Sequence, residues 1–188
     1  MITLPDCLEC IKTRRVTRYF SDAAVPQEVF VKILEAGRWA PIAGNRRIQH
    51  FLAVQNRETI TLIRAVSPGM FGHPAALAII CIDWAKLESL GCKRHNHGVY
   101  IDVGTAAENM MLAGHALGLG TGPVTSFSTA AVSTILGLPE WLTPAMIVCI
   151  GYPAKAQPMG RNVPAKPTLL KDLVSWEQFV GTVSKETA

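Results

Sequence analysis

Three arginines near the N-terminus are the residues best suited to chemistry. Arg14, Arg15 and Arg18 lie within a span of five residues, at the end of a predicted first helix. Guanidinium groups carry rigid, planar sets of N–H donors, which match phosphate oxygens better than a lysine ammonium does. The cluster therefore favours a small phosphorylated ligand, and a solvated basic turn is the alternative that composition alone would support.

Two smaller groups of side chains offer other chemistry. Cys7 and Cys10 form a C-x-x-C on the predicted first helix, which suits a redox pair or half of a zinc site. No second C-x-x-C is present, so we expect two semi-buried thiols. Cys92, His95 and His97 share a polar stretch, where a metal would need a fourth ligand. We predict no metal site; a solvated loop is expected there, with contact between substrate and His95 or His97 as the alternative.

The glycine pattern Gly118-x-Gly120-x-Gly122 is similar to a dinucleotide-binding loop, but it comes after a predicted helix rather than a strand. It is therefore interpreted as a helix end and a turn. His115, on the same helix, is expected to be a hydrogen-bonded structural histidine. The sequence contains no G-x-S-x-G element, and no catalytic side chain is assigned.

Apolar spacing and breaker residues predict the elements that position these groups. Helices are predicted from Pro26 to before Pro41 and over 56–66, 100–117, 129–136 and 169–179, with Ser128 and Gly137 capping the fourth. Strands are predicted over 49–55, 75–83, 121–127 and 145–150, and an irregular polar connection over 84–99. Strands separated by helices, without repeats or a linker, predict one α+β domain over residues 1–188 with a central sheet.

Composition and charge limit the classes of molecule with which the protein is expected to associate. The net charge is only +4 and no Lys/Arg run is present, which argues against nucleic acid. The longest apolar run, residues 75–82, is short of the ~20 residues that span a bilayer, and the N-terminus resembles no signal peptide. We therefore expect no membrane association, a cytoplasmic protein and reduced cysteines. The small residues of the predicted helix 100–117 favour close approach of another helix, as in a homodimer interface.

Six segments, taken in order, resemble the nitroreductase family of FMN-dependent oxidoreductases between Cys10 and Phe179. They are 13–20, 39–45, 102–113, 118–120, 138–140 and 150–153. The resemblance implies a nitroreductase-like α+β fold, with a mostly antiparallel central sheet flanked by helices. It also implies an intertwined homodimer with FMN at the subunit interface. NAD(P)H is implied as the electron donor, in a ping-pong hydride transfer to nitroaromatic, quinone or flavin-type small-molecule acceptors.

The resemblance also assigns the arginines. Arg14 and Arg18 would bind the FMN phosphate and ribityl chain, and Arg15 the ribityl chain or the edge of the ring. Val16 stands where the family usually has serine, so one hydrogen bond to the cofactor is expected to be lost. Arg161 would complete the phosphate site, with Lys166 as the alternative.

Two further segments would contact the flavin. A loop of the partner subunit would cover the flavin with four residues: Pro41, Ile42, Ala43 and Asn45. A second segment would pass the pyrimidine side and N5 of the ring: Pro123, Val124, Thr125 and Ser126. Ile42 replaces a serine of the family pattern, and Arg47 and Ile48 replace a glutamine and a proline.

These departures keep two alternatives open. The chain could be a flavoenzyme of the same fold with a different reaction, such as a flavin-destroying, dehalogenating or dehydrogenating relative. It could also be a flavin-binding regulator without catalysis. Val16, Ile42 and Arg47 are the residues on which the second alternative depends.

Overall fold

The computed structural model describes residues 6–94, 97–155 and 168–178. Contacts divide the chain into two compact units, Met1–Ala156 and Gln157–Ala188. The prediction of one domain over residues 1–188 stays a prediction. Across the described residues, none of the helices is long and apolar enough to span a membrane.

The first unit contains six α-helices and four strands in its described part. The helices are α1 (Cys7–Thr13), α2 (Gln27–Arg38), α3 (Arg57–Ala65), α4 (Trp84–Ser89), α5 (Gly98–Ala116) and α6 (Thr129–Leu136). The strands are β1 (Gln49–Val54), β2 (Ala76–Asp83), β3 (Gly120–Val124) and β4 (Leu142–Gly151). Ala43–Asn45 is a short 3-10 turn. The predicted helices at α2, α3, α5 and α6 and all four predicted strands are confirmed, with ends that differ by a few residues.

The four strands form one antiparallel sheet in the order β1-β2-β4-β3. Strand β2 is one of the two inner strands and is buried on both faces, as its continuous apolar sequence predicts. Alternate side chains of β2 enter two separate cores. Ala78 and Ile80 pack in the core that includes residues of α2 and α5, whereas Leu77 and Ile79 pack in the core that includes residues of α3 and α6.

Helix ends have the predicted cap chemistry. The side chain of Ser128 accepts a hydrogen bond from the Ala131 N–H at the start of α6, and Gly137 ends that helix in the left-handed conformation, with φ 62°. Gly118, with φ 78°, lies between α5 and β3. Gly118 therefore ends the helix in a turn, as predicted, whereas Gly120 and Gly122 belong to β3.

The predicted irregular connection over 84–99 is wrong in its first part, because Trp84–Ser89 forms α4. The Asp83 carboxylate accepts a hydrogen bond from the Lys86 N–H at 2.8 Å and caps this helix. Trp84 and Leu87 are its buried side chains. Two buried apolar residues in a helix of six give too short a pattern for the 3.6-residue period to be recognised.

The predicted helix 169–179 is also wrong over its described part, in the second unit. Only a 3-10 turn, Leu170–Asp172, forms, and Phe179 lies outside the described residues. The Asp172 carboxylate accepts a hydrogen bond from the Leu169 N–H, which closes this single turn. Leu170, Leu173 and Trp176 are exposed, so no buried apolar face extends the turn into an α-helix.

Candidate active site

A cavity of about 200 Å³ lies where three chain segments and one strand residue meet. We call it the Arg18 cavity. It is lined by Val16, Thr17, Arg18 and Phe20 from the first segment, by Gly69, Met70, Phe71 and Gly72 from the second, by Gly122, Pro123 and Val124 of β3, and by Cys149 of β4. Four residues of the predicted site, Val16, Arg18, Pro123 and Val124, are therefore brought together here.

Segment 16–20 reaches the cavity because it packs backbone to backbone against two glycines. Thr17 donates its N–H to the Thr121 carbonyl at 2.8 Å, beside a parallel bridge between Val16 and Thr121. A Cβ at Gly122 would lie 2.5 Å from the Thr17 carbonyl oxygen, and a Cβ at Gly72 would overlap the Arg18 carbonyl oxygen. Only glycine allows this approach. The two glycines thus fix the wall that carries Arg18.

The three arginines have different surroundings. Arg18 is exposed and lies over the Phe71 ring, with 5.8 Å between the guanidinium carbon and the ring centroid. Arg14 is only 22% exposed and donates from Nε to Glu108 Oε1 at 3.1 Å. Arg15 donates to the carbonyls of Lys12 and Arg14. Of the described arginines, Arg18 alone lines the cavity.

The predicted covering residues Pro41, Ile42, Ala43 and Asn45 do not line the Arg18 cavity of their own chain. They belong to the Pro41 loop, which we define as residues 39–47, and this loop lies against α5. The Ala43 N–H donates to both carboxylate oxygens of Asp102, at 3.1 and 3.2 Å. Asp102 is 7% exposed. The expectation that this loop covers the flavin of a partner subunit stays a prediction.

The remaining predicted site residues lie at the edge of the cavity or outside the described residues. Thr125 and Ser126 are exposed just after β3, and the Ser126 carbonyl accepts a hydrogen bond from the Gly69 N–H at 3.1 Å. This bond joins two walls of the cavity. Arg161, Lys166 and His95 lie outside the described residues, whereas His97 is exposed immediately before α5.

The thiol at the cavity is not a nucleophile at neutral pH. Burial raises the pKa of the Cys149 thiol to about 12, and it does the same for Cys81 of β2. Both thiols therefore stay protonated over the neutral range, and a thiolate forms only in strongly alkaline solution. Cys149 contributes to the cavity as a small apolar wall.

The alternative metal and redox sites find no support in the described residues. Cys7 is exposed and Cys10 is buried, so the two thiols of the C-x-x-C are not both semi-buried as predicted. Among the residues that the structure describes, no group of three metal-ligating side chains is assembled.

His115 is a hydrogen-bonded structural residue, as predicted. The Thr13 hydroxyl donates to the Glu9 carbonyl at 2.6 Å and lies 2.8 Å from His115 Nε2. The hydroxyl and Nε2 are therefore hydrogen-bonded to each other. This bond ties the end of α1, and with it the start of the arginine segment, to α5.

The sequence pattern does not reveal the second wall of the cavity, residues 69–72. Pro68-Gly69 indicates only the end of a helix, and Gly72 gives no separate signal. Phe71 is a large apolar residue that is 55% exposed. This exposure marks it as a candidate site residue, but it cannot be recognised from the sequence. Glu108, the partner of Arg14, lies within the family-like segment 102–113, but nothing in the sequence assigns it a role.

Known proteins share this fold, and about a third of the aligned residues are identical in two curated relatives. The family model described as "Nitroreductase family" matches residues 11–84 and 67–152. A relative named "Putative NADH dehydrogenase/NAD(P)H nitroreductase" from Methanothermobacter thermautotrophicus is 36% identical over 157 residues, 80% of this chain and 78% of the relative. One of the same name from Archaeoglobus fulgidus is 32% identical, over 80% of this chain and 87% of the relative.

Among solved structures, a nitroreductase family protein from Clostridium difficile 630 is 26% identical to this chain, with a TM-score of 0.77. The match covers 93% of this chain and all of that one (100%). The predicted α+β fold, with its antiparallel sheet and flanking helices, is thereby confirmed. The chain belongs to the nitroreductase family of enzymes.

Proposed function

We propose that the protein is an FMN-dependent oxidoreductase that takes hydride from NAD(P)H and passes electrons to a nitroaromatic, quinone or flavin-type acceptor. The observation that carries this proposal is the Arg18 cavity, around which Val16, Arg18, Pro123 and Val124 meet. Family membership supports the reaction class, and the names of the two archaeal relatives support NAD(P)H as the donor.

The residues of the cavity fit FMN. Met70, Phe71 and Val124 provide apolar surface for a flat aromatic ring, and Arg18 provides an exposed cation for a phosphate. The cavity of about 200 Å³ is smaller than the roughly 300–1,000 Å³ of ordinary ligand sites, so one chain supplies only part of the binding surface. In our proposal, the Pro41 loop of a second subunit supplies the rest.

A homodimer is the assembly that completes such a site. On α5, Ile101 is 68% exposed, and on α1, Leu8 and Ile11 are 66% and 53% exposed. A Cβ added at Gly104 of α5 would meet no atom within 4 Å in its own chain. Exposed apolar side chains beside an open glycine suit close packing against a second copy of the same helix.

The proposed mechanism requires few side chains to take part in the chemistry. Bound FMN would supply the hydride chemistry, first accepting and then donating electrons. Arg18 would neutralise the phosphate, and the walls formed by segments 69–72 and 122–124 would orient the ring. Among the described residues that line the cavity, Arg18 and Cys149 are the titratable ones, and burial raises the pKa of Cys149 to about 12. No lining side chain is therefore suited to proton transfer near neutral pH, and we assign protons to solvent.

The test is spectroscopic. The purified protein is mixed with FMN, freed of excess cofactor and titrated without oxygen with NADH and with NADPH. We expect bound flavin absorption that either nicotinamide bleaches and that a nitroaromatic, a quinone or free flavin restores. Protein that binds no FMN would overturn the proposal. Bound flavin that neither nicotinamide reduces would favour the regulator, and reduced flavin inert toward all three acceptors would favour a same-fold enzyme with a different reaction.

A further inference from the structure

One face of α5 carries three polar side chains that bind the Pro41 loop or the end of α2 that precedes it. Asp102, Thr105 and Asn109 are spaced i, i+3 and i+7, which places them on the same side of a helix. Their partners are backbone groups of residues 36–43: the Ala43 N–H, the Pro41 carbonyl and the Ala36 carbonyl. These distances are 3.1 Å in each case, with the second Asp102 oxygen at 3.2 Å. The Thr105 hydroxyl also lies 2.9 Å from the Asp102 carbonyl, so its single hydrogen is shared between this carbonyl and that of Pro41.

The bond from Ala43 matters most because the next two residues have an unusual backbone. Gly44 and Asn45 both have positive φ, at 59° and 54°. Two successive left-handed residues are uncommon, and for asparagine this conformation is tolerated rather than preferred. Such a backbone persists when its surroundings hold it in place. The buried carboxylate of Asp102 holds the amide directly before it.

The other side of the loop is held by two of its own arginines. Arg47 donates from Nη2 to the carbonyls of Arg38 and Ala40, which closes the stem of the loop. Arg46 donates to the Leu90 carbonyl at 3.4 Å. The loop is therefore a built structure with contacts along its length, even though it contributes nothing to the Arg18 cavity of its own chain.

We propose that Asp102, Thr105 and Asn109 are positioning residues that hold the Pro41 loop in the shape that covers the flavin in the partner subunit's cavity. This inference rests on the proposed function. The three side chains act through the loop and need no contact with the cofactor or the acceptor. They control how closely solvent and acceptor approach the flavin, so their loss changes access more than cofactor affinity.

The first experiment measures the loop without any cofactor. Amide hydrogen exchange of residues 39–47 is compared in FMN-free wild type, T105V, T105S and D102N. Valine removes the hydroxyl donor at nearly constant shape, whereas serine keeps it. The loss of one net hydrogen bond predicts about 2- to 12-fold faster amide exchange in T105V. In D102N a charge-assisted hydrogen bond becomes neutral, which predicts exchange about tenfold faster. T105S should exchange at the wild-type rate.

The second experiment measures access to the flavin in the loaded protein. Iodide quenching of flavin fluorescence and the KM for a quinone acceptor are compared in the same variants, with circular dichroism confirming that each is folded. We expect stronger quenching and a several-fold change of KM in T105V and D102N, with kcat, the FMN dissociation constant and the rate of reduction by NADH near wild type. T105S should match wild type.

The outcomes separate this inference from the proposed function. If wild type binds FMN and is reduced, but loop exchange, quenching and KM are unchanged in both T105V and D102N, the positioning role is wrong. If T105S changes as much as T105V, the hydroxyl is not the cause and the inference also fails. If wild type binds no FMN, the proposed function fails, while faster loop exchange in the FMN-free variants would still support the fastening of the loop.

Discussion

Arg14 and Arg18 carry the same charge but have different neighbours. This difference determines which of the two guanidinium groups is available to a ligand. Arg14 already has a carboxylate partner in Glu108, and the two side chains are 22% and 42% exposed. Arg18 has an aromatic ring beside it and lines the cavity. The residue types predict a phosphate site, but which guanidinium is available depends on Glu108, which is distant in sequence.

The first prediction concerns Arg18. In R18A, the loss of a charge-assisted bond worth roughly 1.5–3 kcal/mol should weaken FMN binding about 10- to 150-fold. Fluorescence titration of the FMN-free protein with FMN measures this change. R57A is the matched control, because Arg57 is 87% exposed and does not line the cavity. Equal affinities of R18A and wild type would place the phosphate elsewhere.

The second prediction concerns the buried thiols. Burial raises the pKa of both Cys81 and Cys149 to about 12, against an ordinary value of 9.0. Between these values the unfolded chain loses these protons and the folded chain keeps them, so stability falls as pH rises from about 9 to about 12. The slope is about 1.4 kcal/mol per pH unit for each thiol. Urea unfolding at several pH values should show a shallower slope in C149A, and an unchanged slope would contradict this cause.

At the scale of elements, the long and strongly patterned segments are predictable. The continuous apolar sequence of β2 and the small-residue helix α5 need no tertiary information. Helix α4 is not predictable, because its six residues contain only two buried side chains, Trp84 and Leu87, which is too short a pattern to recognise. The turn Leu170–Asp172 shows the opposite case. The sequence there has the apolar spacing of a helix, but the side chains of Leu170 and Leu173 remain exposed and no α-helix forms.

The third prediction concerns the packing of β3 against segment 16–20. In G122A, the new Cβ would lie 2.5 Å from the Thr17 carbonyl oxygen, so this segment must move. We expect a loss of about 1–3 kcal/mol in the free energy of unfolding and weaker FMN binding. G137A is the control: its φ of 62° makes alanine strained, but no atom lies within 4 Å. G137A should lose stability and keep its FMN affinity; the same affinity in both variants would argue against the packing as a determinant of the site.

At the scale of the whole molecule, the parts assigned to one flavin site are distributed over two regions of the chain. The proposed phosphate and ring surfaces lie at the Arg18 cavity, and the loop proposed to cover the flavin lies against α5. The family-like motifs predict both sets from sequence order, but the sequence cannot show that α5 fastens the loop, since the bonds join residues about sixty positions apart. Assembly of two chains is what brings the two sets together in our proposal.

The fourth prediction tests this assembly at Gly104. Alanine in a helix interior is favoured over glycine by roughly 0.5–1 kcal/mol, and the single chain has space for it. If α5 packs closely against its copy, the added methyl group separates the two helices. We therefore expect G104A to raise the dimer dissociation constant in sedimentation velocity, whereas T61A, on the exposed side of α3, should not. A tighter or unchanged dimer in G104A would contradict close packing at this glycine.

The separation of the Pro41 loop from the Arg18 cavity has a consequence for mixed assemblies. In the proposed dimer, one R18A chain and one D102N chain would form one site with both defects and one site with neither, because each flavin would take its cavity from one chain and its cover from the other. Two impaired variants, unfolded together and refolded, should therefore regain sites with wild-type affinity and shielding. Refolding either variant alone should not. Complementation of this kind would be the signature of an active site shared between subunits.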